Sequence, residues 1–142
     1  MIGIIVCGHG NFGTGLTSSL NLIAGVQQDY VAVDFVQQDS VEDLEKKLTT
    51  AFNSLSDCDG ILVMSDLAGG SPFKTAVTVA QSYKNIQVLA GTNLGMIIEI
   101  SMARTMVNDL SSLVDMAINV GKDQVMKYEF KPVTYEESDD GI

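Results

Sequence analysis

A chain of 142 residues is one domain's worth of polypeptide at about 150 residues per domain, with no room for a catalytic domain beside a separate cofactor domain. With 46% hydrophobic and only 18% charged residues it has the material for a packed core, which excludes a disordered body. Eight basic against eighteen acidic residues give a formal net charge of −10, which disfavours nucleic acid and anionic lipid as partners and favours a basic protein patch.

No apolar run approaches the ~18 residues of a membrane span, and the start of the chain lacks the basic flank and cleavage pattern of a signal peptide, so a cytoplasmic location is expected. Cys7 and Cys58 form no CxxC pair and read as reduced, inert thiols. One histidine and two distant cysteines do not make a structural zinc set, and no metal or other cofactor is expected.

Taken in chain order, Ile2 to Cys7 is a short apolar run bounded by glycine and reads as a strand buried on both faces. Phe12, Leu16, Leu20, Ile23 and Ala24 then recur at helical steps, with Gly25 as a C-cap. Tyr30 to Val36 predicts a second strand, and Ser40 with Asp43 a capped helix whose inner face carries Val41, Leu44, Leu48, Phe52 and Leu55. Gly60 to Met64 predicts a third strand. Ser71 and Pro72 read as N-cap and first residue of a third helix that buries Phe73, Val77, Ala80 and Tyr83.

Ile86 to Ala90 predicts the fourth strand, followed by helices over 94–106 and 111–120, the latter with Leu113, Val114, Ala117 and Ile118 inward. The methionines at 96, 102, 106 and 116 read as core or subunit-contact residues. Val125 to Phe130 predicts a last short strand, and residues 134–142 an acidic, frayed end. The alternation predicts an α/β fold with an open, mainly parallel sheet in a flavodoxin-like order and helices on both faces. The domain is expected over residues 1–130 and an acidic tail over 131–142.

Ligands of such sheets bind beyond the carboxyl ends of the strands, at the point where successive crossovers diverge. There lie Gly8-His9-Gly10-Asn11 after the first strand, Asp66-Leu-Ala-Gly-Gly-Ser-Pro-Phe73 after the third and Gly91-Thr92-Asn93 after the fourth. If strands one and three are neighbours, His9 and Asp66 meet, and the carboxylate can fix one imidazole nitrogen while the other stays nucleophilic. Gly10, Gly70 and Ser71 would surround that nitrogen with close backbone approach, helix N–H groups and a hydroxyl, which suits a phosphoryl group. A competing pattern runs through the same turn. Gly8, Gly10 and Gly13 match G-x-G-x-x-G, with Asp34 near the end of strand two, and this is the signature of a nucleotide- or flavin-binding module.

At His9 and the Asp66 to Phe73 run, and again at Ala90-Gly-Thr-Asn-Leu-Gly-Met96 with Glu99, the chain resembles the mannose-type enzyme IIA of the bacterial phosphoenolpyruvate:sugar phosphotransferase system over about residues 1–130. The resemblance implies that His9 accepts a phosphoryl group from the phosphocarrier HPr and passes it to an enzyme IIB, expected as a separate polypeptide, for uptake of a sugar through membrane permease subunits. It further implies that Asp66 orients His9, that Ser71 and nearby backbone groups hold phosphoryl oxygens, that no metal takes part, and that the protein is a homodimer exchanging the strand at Val125 to Phe130. Family members commonly carry a bulky aromatic before the double glycine and a proline in the turn after strand four; here stand Ala68 and Gly95, a difference that bears on the partner or the sugar.

Overall fold

The computed structural model describes residues 1–132; the acidic segment 134–142 lies outside the described residues. Four strands, β1 (Ile2–His9), β2 (Tyr30–Phe35), β3 (Gly60–Ser65) and β4 (Ile86–Leu89), alternate with α1 (Phe12–Ala24), α2 (Val41–Ser54) and α3 (Ser71–Ala80), and α4 (Leu94–Ala103) and α5 (Leu110–Asp123) follow. The sheet is parallel throughout, in the order β2-β1-β3-β4. The chain therefore steps from β1 outward to β2 and then crosses back over β1 to β3. That reversal opens a crevice at the carboxyl ends of β1 and β3.

The two core layers follow from the two-residue period of β1. Ile4 and Val6 face α1, α4 and α5 together with Leu20, Ile97, Ile100 and Leu113. Ile5 and Cys7 face α2 and α3 with Leu44, Leu48, Phe52 and Ala76. Residues 2–8 are all buried, as a central parallel strand requires. The start of α2 is held by a reciprocal capping box, Asp43 N–H to Ser40 Oγ (3.1 Å) and Ser40 N–H to Asp43 Oδ2 (2.9 Å). Burial pushes the Cys7 thiol up to about 12 and raises that of Cys58, so both are protonated near neutral pH.

Several helix faces differ from the periodic expectation. Ile23, Val41 and Ile118 are exposed, because each lies at a helix end or flank that turns away from the sheet, and Met106 is exposed in the turn after α4, which ends at Ala103 and not at residue 106. On α3 the inward residues are Pro72, Thr75, Ala76 and Val79 and not Val77. This helix is short and sits on a sheet only four strands wide, so a face of small residues packs closest. Val125–Phe130 forms no strand: it has no neighbouring ladder among the described residues, and Val125, Met126, Tyr128 and Phe130 are largely exposed.

At the opposite end of the sheet from the crevice, Arg104 is buried to 3% exposure and spends its guanidinium on main-chain carbonyls. Nη1 donates to Ile2 O (3.0 Å) and Asp29 O (2.9 Å), and Nη2 to Gln28 O, tying the end of α4 to the start of β1 and the α1–β2 loop. Replacing Arg104 by Met would remove the guanidinium from all three carbonyls, leaving Asp29 O with the Ile4 N–H alone, and urea unfolding is expected to show a loss of about 2–4 kcal/mol with the far-UV spectrum retained below the transition.

Candidate functional site

The crevice is built around His9, the last residue of β1. The parallel ladder carries on past Gly8, since Gly8 pairs with Asp34 and His9 with Phe35, so His9 is a strand residue and not a turn residue. On its other side β1 outruns β3, whose last pair is Cys7 with Ser65. The His9 main-chain N–H thus has no carbonyl to meet on β3, and the Asp66 carboxylate takes that place, with Oδ2 at 2.8 Å from His9 N. The same oxygen lies 2.7 Å from His9 Nδ1, while Oδ1 accepts the Leu67 N–H at 2.7 Å. An ionised carboxylate only accepts, so Nδ1 carries a proton, and in the neutral ring Nε2 keeps the lone pair.

The electrostatics follow from this packing. The Asp66 side chain is 11% exposed and that of His9 46%. Burial alone would push the Asp66 carboxyl up, yet the hydrogen bonds from the His9 main chain, the His9 ring and the Leu67 N–H together hold it below the usual carboxylate range. Asp66 is therefore an anion wherever the protein is near neutral pH. It both orients the imidazole and offsets positive charge on it.

Two glycines shape the surroundings. Gly10 has φ of +59°, which turns the chain sharply after His9 so that its N–H donates to Phe35 O at 2.7 Å. Gly70 lies against the ring: a Cβ there would come within 2.8 Å of His9 Cε1 and 3.5 Å of Nε2. Gly70 is also the N-cap of α3, with no side-chain cap, so Ser71 is the first helical residue and Pro72 the second. This corrects the expected cap, because Ser71 Oγ is not consumed in holding the helix. The Ser71 and Phe73 amides, in the first turn, have no partner within the helix. Donors of α3 thus begin where the imidazole edge ends.

His9, Asp66, Gly10, Gly70 and Ser71 are all brought to this one sheet edge. The ring of Phe35 joins them, 6.1 Å from the imidazole centroid and tilted by 60°; sequence spacing could not reveal it, since the contact exists only through β1–β2 register. The nucleotide reading is not supported. Asp34, the expected ribose ligand, turns its carboxylate to Thr14, accepting from the main-chain N–H (2.9 Å) and from Oγ1 (2.6 Å). The start of α1, where a pyrophosphate would bind, is thereby occupied by a carboxylate of the protein itself.

Residues 3–118 match the family described as PTS system fructose IIA component. The chain is 30% identical over 132 residues to the PTS system mannose-specific EIIAB component of Escherichia coli strain K12, a match that takes in 93% of this chain and 41% of that protein, so the chain spans less than half the length of this relative. Among solved structures, a phosphotransferase system component EIIA from Streptococcus agalactiae superposes with a TM-score of 0.80 at 37% identity, covering 89% of this chain and 97% of that one. A mannose/sorbose specific IIA subunit from Enterococcus faecalis superposes with a TM-score of 0.83 at 26% identity, covering 93% and 98%.

Two outcomes are expected from this geometry. Gly70→Ala keeps an allowed backbone, φ −73° and ψ 164°, but displaces the imidazole; nitrogen-15 NMR of the ring should show loss of the single Nδ1–H tautomer while thermal unfolding shifts by only a few degrees, as for about 1 kcal/mol. For Asp66, a folded-state value below the unfolded one means stabilisation that is present above the unfolded value, roughly pH 4, and lost as pH falls through the folded value. The stability that wild type holds over Asp66→Asn, read from urea unfolding, should therefore shrink as pH falls below roughly 4.

Proposed function

From the premise that this chain belongs to the family of PTS system fructose IIA components, we propose that it is a phosphoryl carrier of a bacterial sugar phosphotransferase system, with His9 as the acceptor and donor group. The observation that carries the reading is the 2.7 Å contact between His9 Nδ1 and Asp66 Oδ2, which leaves Nε2 as the free nucleophile facing solvent.

In the proposed step the Nε2 lone pair attacks the phosphorus of phospho-HPr. The nitrogen–phosphorus bond of the donor breaks as that to Nε2 forms, and the donor imidazole leaves with the electron pair. The Nδ1 proton stays on His9, and the Asp66 anion balances the positive charge of the phosphorylated ring. Ser71 Oγ and the free amides of the first turn of α3 would receive the phosphoryl oxygens, a reading supported by the start of α3 at Ser71 and by Gly70 against the ring. Transfer to an enzyme IIB repeats the step in reverse. Nothing in it requires more than positioning and charge stabilisation.

The sugar permease subunits are partners only through that enzyme IIB, and the compartment is the cytoplasmic face, where both partners would be met. No helix among the described residues is long and apolar enough to cross a membrane. We assign Val125–Phe130 to a strand exchanged within a homodimer. The segment is exposed, carries four large apolar side chains, and leaves the fold beside Leu89 and Ala90 at the end of the open edge β4. Of the two departures from the usual pattern, Gly95 lies under the side chain of Gln124 and belongs to α4–α5 packing. Ala68 is exposed in the loop beside His9 and is the one placed to alter a partner contact.

The test is intact mass after incubation with phosphoenolpyruvate, enzyme I and HPr. Wild type should gain one acid-labile phosphoryl group, His9→Ala none, and Asp66→Ala should gain it at least about 100-fold more slowly. An adduct on His9→Ala, or none on wild type with active donors, overturns the assignment.

A further inference from the structure

The glycine turn and Asp34 stood out in the sequence as a nucleotide motif, and the phosphoryl-carrier reading leaves Asp34 without a role. The structure gives that carboxylate an unusual duty. Asn11, the N-cap of α1, makes no side-chain cap. The helix start is capped instead from a different strand, by Asp34 on β2 through Thr14 N–H (2.9 Å) and Thr14 Oγ1 (2.6 Å). The packing leaves no slack: a Cβ on Gly13 would lie 2.9 Å from Val33 O and 3.0 Å from Asp34 Oδ1.

Asp34 is also registered opposite Gly8, and the next pair along the ladder is Phe35 with His9. The turn that follows His9 is therefore gripped at both ends by consecutive residues of β2. Phe35 O takes the Gly10 N–H at 2.7 Å, and the Asp34 carboxylate takes the first turn of α1. Behind them Lys47 of α2 donates to Asp34 O (3.1 Å) and to Asp39 Oδ2 (2.6 Å). The Asp39 carboxylate in turn accepts the Val36 N–H at 3.0 Å. A chain of bonds thus runs from α2 through β2 to the backbone on which the imidazole stands.

We propose that Asp34 is a positioning residue for His9: by capping α1 from β2 it fixes the Gly10–Asn11 turn that follows the strand and so the aim of Nε2. The inference rests on the phosphoryl-carrier reading for its kinetic consequence, but its structural part concerns the unphosphorylated protein and stands apart from it. A second effect has the same origin. With the start of α1 already neutralised by a carboxylate, the open donors beside His9 are those of α3, so a phosphoryl group on Nε2 is drawn to the Ser71 side of the crevice.

Asp34→Ala and Asp34→Asn separate the possibilities, because asparagine keeps an acceptor for the Thr14 N–H while removing the charge. In the unphosphorylated protein, ring nitrogen-15 shifts should show Asp34→Ala losing the uniform Nδ1–H tautomer and Asp34→Asn retaining it. With phospho-HPr as donor, Asp34→Ala should lower the maximal rate of labelling by about 10- to 100-fold with KM within about twofold, and Asp34→Asn should return to within about threefold of wild type. Wild-type tautomer and rate in Asp34→Ala overturn the proposal. So does a change confined to KM, which would make Asp34 a docking residue, and so does an Asp34→Asn protein as slow as Asp34→Ala, which would make the charge and not the cap decisive. Failure of wild type to become labelled counts against the carrier reading alone, since the tautomer comparison still judges Asp34.

Discussion

The site depends on a mismatch of one strand against its neighbour. β1 extends past the end of β3, so the main-chain N–H of His9 arrives at the sheet edge with no ladder carbonyl to receive it. The Asp66 carboxylate supplies the acceptor that the ladder lacks and grips the imidazole with the same oxygen. Backbone satisfaction and side-chain orientation are thus one interaction. Removing the carboxylate would therefore release the ring and the strand end together.

Other features of the crevice serve that arrangement. The double crossover between β1, β2 and β3 brings two distant segments to the same edge, and the hydrophobic layers on either side of β1 keep the strands in register. α3 starts where the imidazole ends because Gly70, its N-cap, has no side chain to stand between them. α1 starts on the other side with its first turn already capped by Asp34. One helix end is left open to an anion and the other is closed. The asymmetry gives the crevice a direction that a glycine-rich turn alone does not have.

The same asymmetry explains how two readings of one turn could compete. Gly8, Gly10, Gly13 and Asp34 have the spacing of a dinucleotide fingerprint, and spacing reports only that the backbone can turn tightly with an acid in the neighbourhood. Which way the carboxylate points is a matter of tertiary geometry. Here it points at Thr14, inside the protein, and the motif describes helix packing.

The meeting of His9 with Asp66 was legible only on the condition that strands one and three are neighbours, whereas strand and helix order rests on local pattern: apolar runs between glycines, helical spacing of Leu44, Leu48 and Phe52, and polar residues where strands run out. Residue order determines those directly. Contacts perpendicular to the chain are set by register and packing distance, which no spacing encodes. Phe35 beside the imidazole, Asp34 on α1, Gly70 under the ring, Arg104 among main-chain carbonyls and the small-residue face of α3 all belong to that second kind. Val125–Phe130 marks the boundary between the two: its composition is that of a strand, but a strand exists only where a ladder partner stands beside it, and among the described residues none does.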